Sequence, residues 1–237
     1  MRAATDVPVW QVPRLPWRTM STASTTSLDP LAWCDLPPLP PLVRTEDGNP
    51  PLQGTTVRLG WSDEALFARF DCVDREPWAT HRERDAPLWE EEVVELFLAP
   101  GERDPSEYFE IEVNPLGALF DARIANPRLD RSELRADLVF DWPAIRWEAG
   151  ALGSAGWWAA IVLPWSGFAE LAGRQSGAPS DTATRPVPFP PRHWRANLYR
   201  IDRPPRGDAE FSAWSPTLVT PADFHRPRRF GHLLLSD

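Results

Sequence analysis

Apolar and polar positions alternate with period two along much of this chain. In "EVVELFL" (residues 92–98) Val94, Leu96 and Leu98 fall on one side, and Val93, Glu95 and Phe97 on the other. In "YFEIEVN" (108–114) Phe109, Ile111 and Val113 oppose Glu110, Glu112 and Asn114. The run "WRANLYRID" (194–202) sets Arg195, Asn197 and Tyr199 against Ala196, Leu198 and Arg200. This periodicity belongs to strands. "TTVRLGW" and "EALFARFDCVD" form a hairpin pattern around the polar turn "SDE". "EVVELFLAP", "EYFEIEVNP" and "GALFDARIA" follow as an antiparallel meander, joined by "GERDPS" and "NPLG". "GWWAAIVLPW", "AEFSAWSP" and "RRFGHLLL" are strand-like too. A single short helix is expected at "SGFAELAG", capped by Ser166 and closed by Gly173, before a Ser, Pro and Gly loop over 174–192.

About ten strands, one helix and no fixed repeat predict an all-β fold, a two-sheet antiparallel β-sandwich. Residues 1–53 are proline-rich and read as an irregular segment wrapping the domain, which occupies 54–237. A chain of 237 residues, 42% apolar, supports one substantial core. Its net charge of -9 opposes binding to nucleic acid or an anionic membrane. No stretch has a secretory leader's pattern or membrane-spanning length, so the expected location is the cytoplasm. Cys34 and Cys72 are too few for a disulfide framework. Cys72 shares a strand face with Leu66, Ala68 and Phe70 and is expected to be a small buried hydrophobe, a bridge to Cys34 being the lesser alternative.

Polar residues inside strands carry the candidate chemistry. Most antiparallel sheets have one solvated face, and that suffices for Glu110 and Arg195. Glu95 differs, because a carboxylate between Val93 and Phe97 needs an arginine or a ligand hydroxyl. Tryptophan is abundant, with 13 Trp against 2 Tyr. Trp142, Trp147 and Trp165 fit a core, and Trp157 and Trp158 must face opposite ways. Trp78, Trp89 and Trp214 sit beside polar residues at loops or strand ends. Exposed indoles offer plates on which pyranose rings stack, while carboxylates, amides and arginine bind the hydroxyls. The four histidines lack metal-ligand spacing; His225, close after Trp214, is the one nearest this group.

The run from "TTVRLGWSDEALFARFDCVD" through "PLWEEEVVELFLAP", "YFEIEVNPLGALFDAR", "WWAAIVLPW", "WRANLYRID" and "SAWSPT" to "DFHRPRRFGHLLL" resembles the family 9 carbohydrate-binding modules and their DOMON-like relatives. The resemblance implies a jelly-roll or DOMON-type sandwich without catalytic activity, associated with polysaccharide catabolism. By motif position it implies that Trp89 and Trp214 sandwich a sugar, that Glu95 accepts its hydroxyls, and that Asn114 and Asn197 lie on the same polar strand positions. Glu112 stands where the family has a basic residue and Arg200 where it has an apolar one, a swap that would either balance charge locally or fill the subsite. The implied contact set is thus Trp89, Glu95, Glu112, Asn114, Asn197, Arg200 and Trp214, with Trp78 and His225 as additional candidates. The expected partner is a mono- or oligosaccharide. No cofactor is required; the resemblance allows a structural calcium, carried by some family members, without placing it. Two other classes fit the residues: a protein-interaction sandwich in which Glu95 pairs with Arg123 or Arg200, and a glycoside hydrolase using two of the clustered glutamates.

Overall fold

The computed structural model describes residues 6–15, 28, 33, 35–168 and 190–237. Its strands form two sheets. The smaller joins β3 (Thr55–Trp61), β4 (Ala65–Val73), β10 (Gly156–Pro164) and β9 (Arg146–Ala151) in the order β3-β4-β10-β9. The larger runs β1-β13-β11-β5-β6-β7-β8, comprising β1 (Val9–Val12), β13 (Gly231–Leu235), β11 (His193–Asp202), β5 (Val93–Pro100), β6 (Glu107–Val113), β7 (Leu119–Ala125) and β8 (Arg135–Asp137). Strand β12 (Glu210–Ala213) pairs with β11 and with β2 (Val43–Arg44) beside this path.

The hairpin and the meander form where the alternation predicts them. At the β3–β4 turn the Ser62 N–H donates to the Ala65 carbonyl at 2.9 Å. The β6–β7 turn needs Gly117, whose φ of +79° lies in the left-handed region. Asn114 fixes this turn, its Oδ1 accepting from the N–H groups of Leu116 and Ala118 at 3.1 and 2.9 Å.

The inward faces meet in one core, with Leu59, Trp61, Leu66 and Phe70 of the small sheet against Val94, Leu96, Leu98, Phe109 and Ile111 of the large one. Cys72 is fully buried there, and desolvation pushes its thiol up to about 12, as the strand-face reading expected of an inert small hydrophobe. Cys34 lies outside the described residues, as do "STASTTS" and most of the expected helix, of which Trp165–Phe168 form a single 3-10 turn. Trp157 faces the core while Trp158 points to the other side of β10, under the Arg69 guanidinium at 4.0 Å.

The start of the chain is less irregular than its prolines suggest. β1 pairs in parallel with β13, β2 with β12, and Leu15, Leu28, Trp33 and Leu36 cover the outer face of the small sheet beside Phe67 and Trp158. Strands β8 and β9 also fall where no strand was expected, in segments with weak alternation.

Candidate functional site

The outer face of the large sheet is also apolar. Phe97, Tyr108, Phe120, Ala122, Ile124, Tyr199 and Ile201 form a second cluster there with Phe224 and Phe230 from the loop before β13. A cavity of about 370 Å³ opens on this face, lined by Trp89, Glu95, Phe97, Glu110, Phe120 and Arg131 and closed by Phe211, Asp223, Phe224 and His225 among others.

Register sets the floor. Glu95 on β5 lies directly opposite Glu112 on β6 and Tyr199 on β11, and Glu110 lies opposite Phe97. Glu95, Glu110 and Glu112 each have an oxygen within 4.8 Å of the others, and all three are buried. Burial first, and then the neighbouring carboxyls, push Glu95 and Glu112 well above the usual carboxylate range. Burial likewise raises Glu110, to about 7. These groups hold protons under conditions where an exposed glutamate is charged.

Trp89 stands at the mouth. A 3-10 turn over Leu88–Glu90 buries Leu88 completely and leaves Trp89 40% exposed. Its ring meets Phe120 edge-on at 5.1 Å. On the far side, the His225 Nδ1 and the Tyr108 hydroxyl are 2.8 Å apart. The Asn126 amide also donates to that hydroxyl, at 3.5 Å, and to the His225 carbonyl, at 3.1 Å. Burial and then Arg131 depress His225 to about 3, which keeps the ring neutral. Arg131 and Asp223 form an ion pair of 3.2 Å at the rim.

Of the expected contact residues, the structure brings Trp89, Glu95 and His225 to the cavity, with Glu112 just beneath it. Five others do other work. Trp214 is only 4% exposed and sits in the core between the sheets, because its backbone N–H donates to the Leu198 carbonyl at 2.9 Å and its ring fills the space over Gly231. A Cβ on Gly231 would come within 2.4 Å of the indole, so that glycine is required by the buried ring. The expected pair of facing indoles therefore does not exist. Asn197 has the right parity, but its amide is consumed by Tyr199, Leu198 and the Ser215 backbone. Asn114 holds its turn and donates to the His81 carbonyl at 2.8 Å. Trp78 is half-buried, with its backbone N–H on Glu92 at 3.2 Å, and does not line the cavity.

Arg200 points to the opposite face of the sheet. It pairs in register with Val94, and its guanidinium donates to Asp74, Glu92 and the Val73 carbonyl, each at 2.8 Å. Trp157 Nε1 donates to the same Glu92 at 2.6 Å. Arg200 and Glu112 thus cannot compensate one another, and Arg200 neither fills nor lines a subsite. Nor does Glu95 pair with Arg123, which bonds Asp137 at 2.9 Å. Two polar positions assigned to a solvated face are buried: Glu110 at 7% exposure, in the cavity floor, and Arg195, held by Asp104 and the Phe230 carbonyl. Phe120, Arg131, Asp223 and Phe224 went unnoticed as site residues. Phe120 was findable, since it sits opposite Glu112 in the meander register; the others come from loops that periodicity does not place.

Residues 48–235 match carbohydrate-binding family 9. The chain belongs to that family. Among solved structures it is similar to a Bacteroides uniformis protein provisionally assigned as carbohydrate-binding, with a TM-score of 0.68 at 17% identity over 98% of this chain and 100% of the other. A family 9 module from Caldicellulosiruptor kristjanssonii, determined with glucose and with cellotriose, aligns with a TM-score of 0.57 at 13% identity over 96% of this chain and 95% or 93% of the other. At such identities these likenesses establish the β-sandwich fold and nothing finer. An "Extracellular protein" of Arthroderma benhamiae is 27% identical over 128 residues, 53% of this chain and 49% of that protein, so the family 9 chain matches about half the relative's length.

Proposed function

We propose that this family 9 chain binds a sugar, without catalysis, in the cavity on the outer face of its large sheet. The observation that carries this reading is the half-exposed Trp89 indole at the mouth of an about 370 Å³ cavity with Glu95 and Glu110 in its floor. The ring stacks on Trp89 from one side only, since Trp214 is in the core, and Phe120 braces the indole edge-on. Glu95, Glu110 and the neutral His225 ring supply the polar contacts.

The three floor carboxyls argue against hydrolysis. A glycosidase brackets its bond with two carboxyls on either side. Here all three rise from the adjacent strands β5 and β6 on one side of the cavity, and the carboxylate across from them, Asp223, is paired with Arg131 and Arg226. The sugar bound by the Caldicellulosiruptor module, glucose, supplies the first ligand to try. Titration with glucose and cellotriose, followed by calorimetry and indole fluorescence, should give saturable binding. Trp89→Ala should weaken it by about 1 to 3 kcal/mol, the scale of a lost aromatic contact. Undiminished binding by Trp89→Ala would refute the site.

A further inference from the structure

The floor of the cavity gathers three carboxyls whose ionised forms the protein itself does not pair. Glu95 and Glu112 face each other across β5 and β6, an arrangement that is destabilising when both are ionised. Glu110 completes the group within 4.8 Å. The arginines that could neutralise these acids are engaged elsewhere: Arg123 with Asp137, Arg195 with Asp104, Arg200 with Asp74 and Glu92, and Arg131 with Asp223. Among the described residues none comes within ion-pair distance of the three glutamates. Glu112 is the decisive member. It is completely buried, it is aimed into the group, and as a carboxylate neither of its oxygens has a donor. Only a proton shared with Glu110 or a bound cation can satisfy it.

The walls say which cation. Phe97, Phe120, Phe211 and Phe224 line the space above the acids together with the Trp89 ring. They offer π-faces that attract an organic cation and no oxygen ligands, whereas calcium takes six to eight oxygens and magnesium a strict octahedron. The other group of three acids, Asp74, Glu92 and Asp202, surrounds Arg200 and already holds its cation.

We propose that the ligand is a sugar bearing a protonated amino group, its ammonium seated on Glu95 and Glu110 above Glu112 and its ring against Trp89. This rests on the sugar-binding reading and narrows it to cationic sugars. The neutral His225 ring adds no repulsion, and Asp223, which also pairs with Arg226, holds the Arg131 guanidinium at the rim. On binding, the single ammonium charge replaces one of the protons that the three carboxyls hold, and that one proton passes to the buffer.

Calorimetry of the full chain at pH 6 with glucosamine, N-acetylglucosamine and glucose tests it. Glucosamine should bind at least about ten-fold more tightly than either neutral sugar, with an enthalpy that varies with the buffer's own heat of protonation. In Glu110→Gln the preference should shrink to about two-fold or less; should that variant not fold, the wild-type comparison alone is decisive. Equal or tighter binding of glucose would overturn the proposal while leaving sugar binding intact. Ethanolamine binding as tightly as glucosamine would overturn the sugar reading and the proposal with it. Tight uptake of calcium from calcium chloride with no response to any sugar would do the same.

Discussion

Replacing Glu110 by glutamine should stabilise this protein, and by more as the pH rises. Glu110 is buried in the large sheet's outer face, and desolvation lifts it to about 7 from an ordinary 4.5. Below pH 4.5 the carboxyl is protonated whether the chain is folded or not, and its titration costs nothing. Between 4.5 and 7 the unfolded chain releases the proton while the folded chain must keep it, so stability falls; above 7 the loss is complete. At about 1.4 kcal/mol per pH unit, the gap amounts to roughly 3 kcal/mol. Burial sets this value, opposed by the hydrogen bond with Glu112 and by the charge of Arg131, both of which lower it. Glutamine keeps the shape and has no proton to lose. Thermal unfolding of both proteins at pH 5 and pH 8 measures the effect. The melting temperatures should nearly coincide at pH 5 and differ at pH 8 by roughly 6 to 12 °C in the variant's favour, taking about 2 to 4 °C per kcal/mol for a chain this size. A difference that does not grow with pH, or one favouring the wild type at pH 8, would refute the buried-acid argument.

Other substitutions separate structure from binding. Trp214→Ala should cost about 3 to 5 kcal/mol in urea unfolding, as a core cavity does, while Trp89→Ala should leave the urea midpoint nearly unchanged. A small effect at Trp214 would return that indole to the surface. Arg200→Met should destabilise by about 3 to 5 kcal/mol, because Asp74, Glu92 and Asp202 lose the buried cation they surround. Burial, followed by the hydrogen bond to Asp74, already pushes Glu92 up to about 8, so the damage should deepen as the pH rises and be mildest in acid.

The sheet order of the meander and the hairpin is legible in the alternation, because a strand buried on one face repeats every second residue. Parity also gave the right face for Glu95, Glu110 and Glu112. It did not reveal that this face is covered, since the covering residues Phe211, Phe224 and Phe230 come from distant segments. Arg200 shows the same limit in reverse: on the core side of β11, its two shortest ion pairs are with Asp74, just after β4, and Glu92, just before β5, which folding brings to it. Trp214 misleads through its polar neighbours in "SAWSPT". The matching signal lies seventeen residues on, where Gly231 in "FGH" leaves the space its ring occupies.

A structure of the protein soaked with glucosamine and, separately, with cellotriose tests the central claim most directly. The account predicts a pyranose ring against Trp89, with polar atoms about 3 Å from Glu95 and Glu110. A sugar bound on any other face of the sandwich, with this cavity left to solvent, would contradict it.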